Sequence, residues 1–168
     1  MASVTEREVN GRLVRRAVVA DVPALVELRA EMFRAMGTAD VESSEWRTSA
    51  QDWFIGHLDD ARVCIVVVEM GSRVVSTSMA VMLGDGPLSQ LPERRRHPHQ
   101  QRVHLARARR QGHGQAAFAA VLEWAHSTGA PRAELMATNG GQAMYEAAGF
   151  AVTRYPAMRA PLSTAQRC

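Results

Sequence analysis

The chain has 168 residues, 46% of them hydrophobic and 22% charged, with a formal net charge of +3. That length and balance predict one ordinary globular domain and exclude a low-complexity or disordered chain. No apolar run of 18 residues occurs, so no transmembrane helix is expected. Residues 1–11 are polar, lack the apolar core of a signal peptide, and read as a flexible lead-in. The cytoplasm is therefore the expected compartment. Residues 12–17 predict a short strand. Asp21 predicts an N-cap, with Pro23 suited to the first turn of a helix. Leu25, Leu28, Met32 and Met36 follow at helical spacing, and Gly37 ends the pattern. A second helix is predicted from Ser43 or Ser44, with Trp46, Ala50, Trp53, Phe54 and Leu58 on its apolar side.

Residues 62–70 are strongly β, and their near-continuous apolar run predicts a strand covered on both faces. Gly71-Ser72 is a hairpin signal, and residues 73–83 alternate as the return strand. Residues 84–92 read as loop. Residues 115–126 predict a helix capped by Gly129, followed by a short strand over 132–137. A brief helix is predicted from Gly140-Gly141 to Ala148, then a last strand from Phe150 to about Met158. Residues 161–168 read as a flexible tail. The order of elements predicts an α/β domain with a mixed sheet over residues 12–160. Cys64, inside an apolar run, and Cys168, the last residue, read as a buried thiol and a terminal one rather than a disulfide.

The basic character is local. Residues 94–110 hold seven arginines and no acid, and without those seven the formal charge falls from +3 to −4. Such a run attracts phosphates, but it lacks aromatic residues for stacking and any helix-turn-helix pattern, so a nucleic-acid partner is disfavoured. His97, His99 and His104 match no metal-ligand spacing, and no metal is expected.

At the end of that run, Arg109-Arg110-Gln111-Gly112-His113-Gly114-Gln115 leads into an apolar, alanine-rich helix. Two glycines where a loop becomes a helix let backbone approach a ligand, and a helix N-terminus offers free N–H groups to an anion. The same residues are also compatible with a plain turn and helix start. They are neither a Rossmann fingerprint, which needs a third glycine, nor a Walker A loop, which needs a lysine that this chain lacks throughout.

Arg109-x-x-Gly112-x-Gly114 resembles the acetyl-CoA signature Arg/Gln-x-x-Gly-x-Gly/Ala of the GNAT acyltransferase superfamily. A second segment, Met144-Tyr145-Glu146-Ala147-Ala148-Gly149-Phe150, is similar to that family's Leu-Tyr-Glu-x-x-Gly-Phe. The resemblance covers roughly residues 12–160. It implies a mainly antiparallel, mixed central sheet flanked by helices. It implies an N-acetyltransferase that uses acetyl-CoA as co-substrate and a small-molecule primary amine as acceptor, with an antibiotic among the candidates. It implies pyrophosphate contacts from Arg109, Arg110, Gln111, Gly112, His113, Gly114 and Gln115. A polar contact from Asn139, backbone pairing of the pantetheine arm at Val103 and Leu105, and Tyr145 as the proton donor to the leaving thiolate follow from it too. It places the acceptor site beside the first two helices and their link. It singles out no general base: Glu31, Glu69 and Glu134 are candidates by location only. It is compatible with a homodimer and with a domain that has lost catalysis.

One stretch departs from the family pattern. The strand before the pyrophosphate loop resembles nothing in the family as it stands, HPHQQRVHLARARRQGHG. Written in GC-rich codons and read one nucleotide later, residues 97–108 give Thr-Pro-Thr-Ser-Ser-Val-Tyr-Thr-Ser-Pro-Ala-His. That string is similar to the family's strand ending, Val-Tyr-Thr-x-Pro-x-His-Arg. A local frameshift predicts a poorly formed strand near Val103, a disordered loop before it and weakened pantetheine binding.

Overall fold

A computed structural model of the chain describes residues 4–38, 40–83, 102–108 (backbone), 113–137 and 140–154. The chain divides into two compact units, Met1–Met136 and Ala137–Cys168. The first unit is built on a six-stranded sheet in sequence order. Its strands are β1 (Arg7–Val9), β2 (Arg12–Arg16), β3 (Val63–Met70), β4 (Arg73–Leu83), β5 (Arg102–Ala108) and β6 (Arg132–Leu135). Every neighbouring pair is antiparallel except β5 with β6, which is parallel. Among the described residues of this unit, the α-helices are α1 (Val22–Ala35), α2 (Ser44–His57) and α3 (His113–Ser127).

Strand β3 explains the layering. Its six residues from Val63 to Val68 are all buried. Successive side chains of a strand point to opposite faces. Val63, Ile65 and Val67 join Val22, Leu25 and Val26 of α1 and Phe54 of α2 in one cluster. Cys64, Val66 and Val68, each fully buried, therefore face the other way, where α3 brings its own buried residues Ala117, Val121 and Trp124. A strand with apolar partners on both faces has no need of alternation, and the unbroken Val-Cys-Ile-Val-Val-Val run follows.

Two hairpins use the same turn chemistry. Gly71 (φ +51°) and Ser72 (φ +64°) join β3 to β4, and Asn10 (φ +53°) and Gly11 (φ +71°) join β1 to β2. Two central residues with positive φ match the right-handed twist of the flanking strands. At residues 7–11 the second hairpin departs from the expected flexible lead-in. Arg7, Glu8 and Val9 pair with Val14, Leu13 and Arg12. Arg7 further reaches Glu123 on α3, at 2.8 Å.

Asp21 also departs from expectation. It precedes α1, but its side chain caps no N–H of that helix. Its carboxylate instead accepts from the Val18 N–H at 2.8 Å and from Arg15. Helix α2 starts as expected, with the Ser43 hydroxyl accepting from the Glu45 N–H. The strand expected to be poorly formed near Val103 is regular: β5 runs seven residues, in continuous register with β4. Ladder hydrogen bonds are made by backbone, so partner strands can hold a strand whatever its side chains. The loop expected before it, 84–101, lies outside the described residues.

In the second unit, α4 (Gln142–Ala147) is followed by Gly149 at φ +89°. Residues 150–153, expected to begin a last strand, are irregular, and 155–168 lie outside the described residues. Among the described residues, no helix is long and apolar enough to cross a membrane.

Candidate active site

The site is framed by the point where β5 loses a neighbour. On one flank β5 pairs with β4 over its whole length, from Leu83↔Arg102 to Thr77↔Ala108. On the other flank the parallel pairing with β6 covers only Arg102↔Arg132 to Leu105↔Leu135. Among the described residues, Ala106, Arg107 and Ala108 thus face no strand on the β6 side. A strand end of this kind presents unpaired backbone donors and acceptors to any extended chain laid beside it. Val103 and Leu105, where the resemblance places the pantetheine contact, lie between β4 and β6, opposite Met82 and Ala133 and opposite Ala80 and Leu135. The open backbone lies just beyond them.

Four residues, 109–112, separate this open end from α3. Arg109, Arg110, Gln111 and Gly112 lie outside the described residues, as does Asn139. The remaining loop positions form the first turn of α3. His113 is half-buried, Gly114 buried and Gln115 exposed. The helix is fifteen residues long and has no acidic residue in its first turn. Its leading N–H groups lack intrahelical partners and carry partial positive charge. His113 Nδ1 is buried there and makes no hydrogen bond with a described residue. An anionic group such as a diphosphate fits this constellation, with arginines at 109 and 110 immediately before it.

The carboxylates offered as bases have other roles or other neighbours. Glu69 Oε2 accepts from Arg15 Nη2 at 2.8 Å. Glu134 is half-exposed and pairs with Arg132 at 3.2 Å. Glu31 is half-buried on α1 and makes an interaction of its own. Tyr145, in the second unit, is buried on α4. Its ring meets Phe150 edge-on at 6.3 Å between centroids, and its carbonyl accepts from the N–H groups of Ala148 and Phe150. The Tyr-Glu-x-x-Gly-Phe segment is thus a short helix folded back on itself. Among the described residues, no group of three His, Cys, Asp or Glu is placed to hold a metal.

Where the resemblance places an acceptor, beside the first two helices and their link, a cleft opens between α1 and α2. It encloses about 810 Å³ and is lined by Phe33, Asp40, Glu42, Glu45 and Trp46 among others. Trp46 meets Phe33 edge-on at 5.3 Å and donates from Nε1 to the Val41 carbonyl at 2.7 Å. Below the cleft, Arg34 bridges Glu27 (3.0 Å) and Glu42 (2.7 Å), while Arg47 bridges the same two acids at 2.9 and 3.2 Å. Those arginines keep both carboxyls below their usual range. For Glu27 the hydrogen bond from Arg47 leads, and for Glu42 that from Arg34. Helical periodicity could assign Phe33 and Trp46 to apolar faces, but not to one shared wall.

The fold and its neighbours agree. The sequence model of the acetyltransferase (GNAT) family matches residues 22–150. No curated protein matches the chain. Among solved structures, the chain is similar to a GCN5-related N-acetyltransferase from Ralstonia eutropha. That likeness has 24% identity and a TM-score of 0.70, over 90% of this chain and 99% of that one. It is similar to a predicted acetyltransferase with acetyl-CoA from Clostridium acetobutylicum, at 14% identity and TM-score 0.68, over 88% and 96% of the two chains. A third likeness is to an aminoglycoside acetyltransferase from an uncultured soil sample, at 15% identity and TM-score 0.63, over 92% and 98%. With the family's sequence pattern running through most of its length and the family's fold around it, the chain belongs to the acetyltransferase (GNAT) family.

Proposed function

We propose that the chain is an acetyl-CoA-dependent N-acetyltransferase acting on the primary amine of a small molecule. The observation that supports this most is the open end of β5, three residues without a β6 partner that lead within four residues to the N-terminus of α3. Acetyl-CoA supplies an activated acetyl thioester. Backbone groups of Ala106, Arg107 and Ala108 pair with the extended arm as an added strand would, in place of Val103 and Leu105. The N–H groups of α3's first turn, with residues 109–115, hold the diphosphate. A backbone N–H at the open strand end meets the thioester oxygen as charge builds there. Tyr145 Oη gives its proton to the departing sulfur, and a carboxylate or water takes one from the amine. The test is thiol release with acetyl-CoA against a panel of aminoglycosides, polyamines and amino acids. Release that needs both substrates supports the reading, and none with any amine, despite saturable acetyl-CoA binding, contradicts it.

A second reading, a family member with impaired catalysis, rests on one observation. Arg102, His104 and Arg107 stand on β5, an interior strand of the sheet, where the family's pattern ends in Val-Tyr-Thr-x-Pro-x-His-Arg. The chain rewritten over 97–108 with the shifted-frame string tests it. A rise in acetyl-CoA affinity over the present sequence supports impairment, and equal affinity removes it. Resequencing the gene decides the origin of the segment.

A further inference from the structure

Arg29 stands apart from the other cations of the α1–α2 layer. Arg34 and Arg47 are each held by two carboxylates. Arg29 is half-buried, yet it makes no hydrogen bond or ion pair with a described residue. Its guanidinium lies 5.5 Å from the centroid of the Phe33 ring, whose edge partner is Trp46 of the cleft. Burial holds its pKa below the ordinary arginine value, with no neighbouring acid to offset it. A guanidinium that gives up part of its hydration and receives only an aromatic face keeps its N–H donors for something else.

Position says what that could be. Arg29 follows Leu25 and Val26 by one turn on the same stripe of α1. Leu25 and Val26 belong to the cluster against which Met79 of β4 packs. Met79 is the register partner of Ala106, the first open residue of β5. The cation thus stands one helical turn, roughly 5 Å, along α1 from two residues of the cluster that Met79 joins.

Resting on the acetyltransferase reading above, we infer that Arg29 is a specificity-determining residue that receives the carboxylate of the acceptor, so that the acceptor is an amino acid or a closely similar amine bearing one carboxylate. A guanidinium fork matches a carboxylate through two parallel hydrogen bonds. One positive charge balances one carboxylate. The dianion of a phosphate asks for a second cation, and the nearest on α1, Arg34, is already shared between Glu27 and Glu42.

The test separates this inference from the reading beneath it. Titration calorimetry with acetyl-CoA alone judges the cofactor reading. Titration of a panel of L-amino acids, their carboxamides and phosphoethanolamine into wild type, Arg29→Gln and Arg29→Lys judges Arg29, with no need for turnover. The inference expects at least one amino acid to bind about tenfold or more tighter than its amide, the size of one charge-assisted contact. Arg29→Gln should erase that advantage and Arg29→Lys should restore part of it. In thiol-release kinetics the Gln variant should raise KM for the acid with kcat little changed. Amides that match acids in wild type, an acid preference that survives in Arg29→Gln, or preference for phosphoethanolamine would each overturn the assignment, whatever acetyl-CoA does. Unchanged thermal unfolding of Arg29→Gln confirms that the variant reports on binding.

Discussion

Arg15 grips Asp21 with both terminal nitrogens, Nη1 on Oδ2 at 2.6 Å and Nη2 on Oδ1 at 2.9 Å. The side chains keep 17% and 6% of their exposure, so the fork is largely out of water. Glu69 completes it from β3, accepting from the same guanidinium. Strand β2, the turn before α1 and the end of β3 are thereby tied at one point, which sets where α1 begins.

Asp21→Asn should cost roughly 3 kcal/mol at neutral pH, the usual loss when one partner of a buried pair is removed. Burial by itself pushes the Asp21 carboxyl up. The hydrogen bonds from Arg15 and the Val18 N–H, with the Arg15 charge, outweigh it and hold the group below its ordinary 3.8. A depressed carboxyl stabilises the fold above its unfolded pKa and ceases to do so as pH falls through the folded value. Denaturant unfolding at pH 7 and below pH 3 should show the gap between wild type and variant narrowing in acid. A gap that is constant with pH would refute the ion-pair account.

Cys64 is fully buried in β3, and burial pushes its thiol up to about 12, against a smaller opposing pull from Arg16. Thiolate is the reactive form. In a Cys168→Ser background, the folded chain should therefore resist thiol reagents at pH 8 and become fully reactive in denaturant. Rapid labelling without denaturant would mean that β3 is more open than its packing implies.

Tyr145→Phe should lower kcat by roughly a hundredfold with KM little changed, the usual size of a lost general acid. The ring's edge contact with Phe150 is kept by the substitution, so unfolding temperature should stay close to wild type. Equal activity in the Phe variant would return Tyr145 to a packing role.

Local chemistry was the legible part of the fold. The β3 run, the Gly71-Ser72 turn and the Ser43 cap depend on a few adjacent residues, and each reads directly from them. Asn10-Gly11 was an equally strong hairpin signal, but the charged, three-residue β1 before it hid the strand. Asp21 reads as a helix cap until Arg15, six residues away, is known to claim its carboxylate. The glycine loop reads as an anion site because glycine and a helix start act through backbone, and residues 109–112 lie outside the described residues. The open end of β5 was not legible, since it depends on where β6 stops, some thirty residues on. Nor was the isolation of Arg29, which is defined by which acids the other arginines take.

In the proposed function, the first turn of α3 and the loop before it cradle a diphosphate. Calorimetric titration of acetyl-CoA into wild type, Gly112→Val and Gly114→Val tests it most directly, with circular dichroism confirming that each variant is folded. A side chain at these positions would occupy the space of the phosphates, and the loss of even one charge-assisted hydrogen bond is about tenfold in Kd. Wild type should bind saturably, and both variants should lose about tenfold or more in affinity. Unchanged affinity in both folded variants would contradict it.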